Sequence, residues 1–167
     1  QIRELLAAAE APVLWLDGQE PPLEAVSRAL AERRGLGQPV ETLHWVSHGQ
    51  PGVLQVGQTR VDRAALVAAS DQLSHWQVDQ LALWACEYGA DRSALSLWEE
   101  LIGASVFSSS GVLGLDSDGR KNWSLHSKDL SKAIDWPLNF GNSHDWEHQL
   151  EGVSYATFSE GPQSADP

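Results

Sequence analysis

The chain has 167 residues, a formal net charge of −12, 42% hydrophobic and 20% charged residues, and a single cysteine, Cys86. That size suits one core, since single cores stop growing at roughly 250–300 residues, and the composition argues against disorder or a coiled coil. Eleven scattered basic residues exclude a nucleic-acid surface, which needs clustered Lys and Arg; no apolar run reaches the roughly 18–20 residues of a membrane helix; and one cysteine excludes an internal disulfide or a multi-cysteine zinc site.

The chain opens on an amphipathic stretch, Ile2 to Ala9, that predicts a helix and lacks the basic-then-apolar order of a signal peptide. Pro12 to Leu16 reads as a buried strand closed by Asp17 and Gly18. Pro21 and Pro22 suit a helix's first turn, and Leu23, Val26, Ala29 and Leu30 form one apolar stripe that ends at Arg33, Arg34 and Gly35. Glu41 to Ser47 predicts a second strand, delivering Ser47-His48-Gly49 at its end. Leu54 to Val61 alternates around Gly57-Gln58, as a tight hairpin does. Asp62 caps a helix expected to run to about Trp76, and Gln80 to Ala85 is a third strand, delivering Cys86-Glu87-Tyr88-Gly89.

Ser93 to Ile102 is an amphipathic helix closed by Gly103, and Ala104 to Ser108 a further strand. Beyond Gly111 the pattern changes: Asp116 to Gly119 reads as a turn, with Trp123 to His126 and Trp136 to Phe140 as short peripheral or antiparallel strands. From Glu151 the chain is rich in Ser, Gly, Pro and acid and reads as a flexible tail or a linker to something downstream. Strand and helix alternate through the main part, which implies an α/β fold with a mostly parallel sheet flanked by helices on both faces. Sites in such sheets gather at the carboxyl ends of the strands.

His48 and Cys86 both fall there. A thiol attacks a carbonyl as thiolate, so a catalytic cysteine needs a histidine near it in space. One hairpin and one helix separate the two strands, as a right-handed crossover requires. Gly49 lets backbone N–H groups approach an oxygen that gains charge in the transition state, with the Cys86 amide as a second donor. Glu87, Asp116 and Asp118 place acid near this pair and point to a basic side chain on a peptide substrate.

The stretches His44-Trp45-Val46-Ser47-His48-Gly49-Gln50-Pro51-Gly52-Val53-Leu54-Gln55-Val56-Gly57, Leu83-Trp84-Ala85-Cys86 and Leu101-Ile102-Gly103-Ala104-Ser105-Val106 resemble the bacterial family called domain of unknown function 4347. Asn122-Trp123-Ser124-Leu125 and Trp146 extend the likeness, which spans about Ala11 to Leu150. That family is similar to caspases, gingipains and the self-cleaving domains of large toxins. The resemblance implies a three-layer caspase-like fold over residues 1–150, with the family's usual first strand missing before Gln1 and a tail at 151–167. It also implies a His48–Cys86 cysteine peptidase assisted by Gly49, self-processing or acting on another peptide, with no cofactor. Its setting would be a large secreted or cell-surface adhesin-like protein of which this chain is one part. The alternative is a catalytically silent module of the same giant chain. Relatives often carry Gly-Cys-Asn where this chain has Ala85-Cys86-Glu87.

Two further motifs are read as structural. His144-Asp145-Trp146-Glu147-His148 matches the pattern of inverted zinc peptidases, yet it lies near the chain end beside Gly141-Asn142 with no supporting helix, and reads as a surface turn. Asp116-Ser117-Asp118-Gly119 has its glycine two places too early for a calcium loop and lacks the distal glutamate.

Overall fold

The computed structural model describes residues 13–115, 121–135 and 154–159. The elements in chain order are β1 (Val13–Leu16), α1 (Pro22–Gly35), β2 (Thr42–Val46), β3 (His48–Gln50), β4 (Val53–Val56), β5 (Thr59–Val61), α2 (Arg63–Ala68), α3 (Ser70–Leu73), β6 (Gln80–Trp84), a 3₁₀ turn (Tyr88–Ala90), α4 (Arg92–Ile102), β7 (Ser105–Ser108), β8 (Gly114–Leu115), β9 (Lys121–Asn122), β10 (Ser124–Ser127), β11 (Ala133–Asp135) and β12 (Ser154–Ser159). The predicted helix at Ile2 to Ala9, the turn at Asp116 to Gly119, the strand at Trp136 to Phe140 and the His144–His148 motif lie outside the described residues. Among the described residues no helix is long and apolar enough to cross a membrane.

The central sheet has seven strands in the order β1-β12-β2-β6-β7-β10-β11. It is mixed, which corrects the expectation of a mostly parallel sheet: only β2–β6 and β6–β7 pair in parallel, while β1–β12, β12–β2, β7–β10 and β10–β11 are antiparallel. The reason lies in the connections. Helical crossovers join β2 to β6 and β6 to β7, whereas a short turn at Ser127–Lys132 joins β10 to β11, and a short turn forces the chain to reverse. Pairing β12 between β1 and β2 reverses the direction twice more. The segment read as tail thus supplies an interior strand at Ser154–Ser159, with Tyr155 and Thr157 on one face and Ala156 and Phe158 on the other.

Alternation divides the core in two. Leu43, Trp45, Leu81, Leu83, Val106, Ala156 and Phe158 face the helices, where they meet Val26 and Leu30 of α1, Leu66 of α2, Leu73 of α3, and Leu95 and Trp98 of α4. Val46, Ala82, Trp84, Phe107, Leu125 and Tyr155 form a second cluster on the opposite face, backed by Val13, Trp15, Leu113, Trp123 and Ile134. Among the described residues this second cluster includes no helical side chain.

Local chemistry explains the helix ends. Asp62 accepts a hydrogen bond from the Ala65 amide at 3.0 Å, and Asp91 accepts from the Ser93 and Ala94 amides at 3.1 and 3.2 Å. Gly103 stops α4 in the left-handed conformation at φ +67°. The helix expected from Asp62 to Trp76 breaks at Ala69 into α2 and α3.

Candidate active site

Parallel strands β2 and β6 lie side by side with Val46 opposite Trp84, and the Ser47 amide donates to the Trp84 carbonyl at 3.3 Å. The chain therefore leaves both strands at one edge of the sheet, with His48 two residues beyond Val46 and Cys86 two beyond Trp84. His48 begins β3, which pairs antiparallel with β4 through His48–Gln55 and Gly49–Leu54, so it stands on a three-stranded hairpin sheet. The sequence reads the strand as ending at Ser47 with His48 and Gly49 delivered at its end; pairing with β4 makes His48–Gln50 a strand of its own.

Gly49 is where the two halves meet. A Cβ there would lie 2.6 Å from the Ala85 Cβ and 2.9 Å from the Cys86 carbonyl oxygen, so the hairpin rests directly on the backbone of the Cys86 turn. Only glycine allows that approach. The hairpin's far end is tied to the same turn, because the Gly52 amide donates to the Tyr88 carbonyl at 3.2 Å. Gly52 has φ +69°, and a Cβ on it would lie 2.5 Å from Asp91 Oδ2.

His48 is exposed and Cys86 half-buried. Cys86 Sγ accepts from the Leu113 amide at 3.4 Å and lies 3.9 Å from the Leu113 carbonyl oxygen. Two more backbone bonds bind the same turn to the segment after β7: the Glu87 amide donates to Gly111 O at 2.8 Å and the Gly89 amide to Ser109 O at 2.9 Å. Glu87 sits in the left-handed region at φ 59°, ψ 2°, which holds the turn sharp and leaves its side chain exposed. Of the acidic residues assigned to substrate, Glu87 adjoins Cys86, and Asp116 and Asp118 lie outside the described residues.

Beneath the turn, Tyr88 is fully buried, and its Oη accepts from Trp98 Nε1 of α4 at 2.6 Å. Burial raises the Tyr88 phenol above its ordinary range, so it stays protonated. Asp91 is held below the ordinary carboxylate range, first by the Ser93 hydroxyl and then by the Ala94 amide. On the other face of the sheet, buried His44 is lowered to about 4 by desolvation, and its Nδ1 accepts from Trp84 Nε1 at 3.1 Å. That bond leaves the proton of the neutral ring on Nε2. Among the described residues no three His, Cys, Asp or Glu side chains converge as a metal site would require.

Residues 1–150 match the family model described as Domain of unknown function (DUF4347). The chain belongs to this family. Comparison with curated proteins and with solved structures gave no significant match. The site of this DUF4347 domain is defined by its own geometry. That geometry adds Leu113, Gly52 and Tyr88 to the residues the sequence singled out. Only Gly52 had a local signal, as the glycine after Pro51; the other two depend on folding that brings distant segments together.

Proposed function

We propose that this DUF4347 domain is a caspase-like, three-layer cysteine peptidase module of a larger secreted or cell-surface adhesin-like protein. Its substrate is an extended peptide segment, foremost one in its own polypeptide. Cys86 thiolate attacks the peptide carbonyl carbon, and the carbonyl electrons move to oxygen, where N–H groups at Gly49 and Cys86 stabilise them. The tetrahedral adduct collapses, breaking the C–N bond, and His48 gives its proton to the departing amine. Water, deprotonated by His48, then hydrolyses the thioester and returns the thiol. The acidic Glu87, Asp116 and Asp118 favour a basic side chain on the residue whose carbonyl is attacked.

The observation that carries this reading is the seating of Gly49 on Ala85 and Cys86, which fixes the histidine-bearing hairpin on the turn of the chain's one cysteine. A longer parent polypeptide, incubated as wild type, Cys86→Ala and His48→Ala and followed by mass spectrometry, tests it. Cleavage in the wild type and its loss in both variants is the expected result. Equal cleavage in wild type and Cys86→Ala ends the peptidase reading. The alternative of a catalytically silent module draws on one observation, that Cys86 Sγ already lies in contact with both backbone groups of Leu113. An intact parent with an unreactive thiol would favour that alternative.

A further inference from the structure

We infer that Tyr88 is a positioning residue for the His48–Cys86 pair, an inference that rests on the thiol–imidazole reading above. Tyr88 joins the cysteine turn, the histidine hairpin and the helical core by hydrogen bonds. Its carbonyl accepts from the Gly52 amide at 3.2 Å, at the turn that closes β3 onto β4, and also from the Asp91 amide at 3.3 Å. The amides on either side, of Glu87 and Gly89, are anchored on Gly111 and Ser109. Its ring is wholly buried, and Trp98 Nε1 holds its Oη at 2.6 Å. The side chain therefore sets the position of a carbonyl on which the hairpin hangs.

The consequence for catalysis follows from how little slack the contact at Gly49 leaves. With no room for even a methyl group between Gly49 and the Ala85–Cys86 turn, a shift of the Tyr88 carbonyl is passed on to β3 and moves His48 relative to Cys86. Misplacement of a reacting group by about 1 Å can cost on the order of a hundredfold in rate. Tyr88→Phe removes the Oη and leaves the buried Trp98 Nε1 without its acceptor, so the ring must move to relieve an unsatisfied donor.

The test is the rate of Cys86 alkylation by iodoacetamide near neutral pH in the full chain, as wild type, Tyr88→Phe, His48→Ala and the double variant, with circular dichroism confirming the fold. His48→Ala slows alkylation by about tenfold or more, because the base that generates the thiolate is lost. Tyr88→Phe slows it by about tenfold when His48 is present and changes it by less than about twofold when His48 is absent, the margin within which independent effects simply add. An equal effect of Tyr88→Phe in both backgrounds, or none in the first, overturns the inference, since a merely structural loosening would alter thiol access whether or not His48 is there. An unchanged rate in a folded His48→Ala variant overturns the dyad reading itself. Trp98→Phe, which removes the donor and keeps the tyrosine, runs through the same cycle should Tyr88→Phe fail to fold.

Discussion

Glu87 and His44 show how single residues in this domain carry costs that can be measured. Glu87 holds φ 59° directly after Cys86, a conformation that costs an ordinary L-residue roughly 1–2 kcal/mol and that Asn tolerates. Because the Glu87 side chain is exposed and its amide bond to Gly111 is backbone-only, Glu87→Asn keeps every described contact. It is expected to stabilise the domain by about 0.5–1 kcal/mol, read as a higher midpoint in urea; an unchanged or lower midpoint would show that the turn is not strained. His44 bears on pH. Its ordinary value is 6.5 and burial lowers it to about 4 in the folded protein, so between those values the unfolded chain binds a proton that the folded chain does not. Stability is then complete above about pH 6.5 and falls as pH drops toward 4, by an amount on the order of 3 kcal/mol. Urea midpoints between pH 7 and 4 would show this slope. His44→Gln, which keeps an acceptor for Trp84 Nε1, flattens it, and an equally steep slope in that variant would assign the acid sensitivity elsewhere.

Which elements are legible in the sequence follows from what each one depends on. α1, β2, β6 and α4 depend on local pattern: the stripe of Leu23, Val26 and Leu30, the run Leu43–Val46, apolar but for His44, the apolar run Leu81–Trp84, and the Asp91 cap with its Gly103 stop are all readable in a window of a dozen residues. β3 is three residues long and becomes a strand only because β4 pairs with it, so His48 and Gly49 read as the end of the preceding strand until the hairpin is known. β12 is hidden by its Ser-, Gly- and acid-rich surroundings, and because it is buried on both faces, from Ser154 to Phe158, it shows none of the polar–apolar alternation that marks a half-exposed strand. Strand direction is not legible in the same way, because the helical crossovers of the first two-thirds of the chain imply parallel pairing, while the later strands are joined by turns and pair antiparallel. At the site, His48, Gly49 and Cys86 were legible because each follows an apolar run ending at the same sheet edge. The contact of Leu113 with Cys86 spans 27 residues, and nothing local announces it.

At the scale of the whole molecule, β12 holds together what would otherwise be two separate edges. β1 pairs with it through four residues and β2 through five, so without Ser154–Ser159 both strands would present unpaired backbone, and the apolar face above α1 would lose Ala156 and Phe158. The Phe158 ring also lies under the Arg33 guanidinium of α1, 5.5 Å from its centroid, which ties the strand to the helix layer. Ala156 is the most stringent probe of this arrangement, being wholly buried between Leu14 of β1 and Trp45 of β2. Ala156→Asp would place a carboxylate in that apolar layer with no described cationic partner, a change expected to cost more than about 3 kcal/mol. In a chain of this size that lowers the melting temperature by about 10 °C or prevents folding outright. Ser159→Asp, at the half-buried end of the same strand, where the Ser159 hydroxyl donates to Thr42 O at 3.4 Å, adds the same charge for the loss of one long hydrogen bond and should shift stability by no more than about 1.5 kcal/mol. Thermal unfolding of the two variants beside wild type separates burial from charge, because they share the second and differ in the first. Equal, small shifts in both would mean that the strand does not occupy the interior of the sheet in solution, and the domain's sheet would then end at β2.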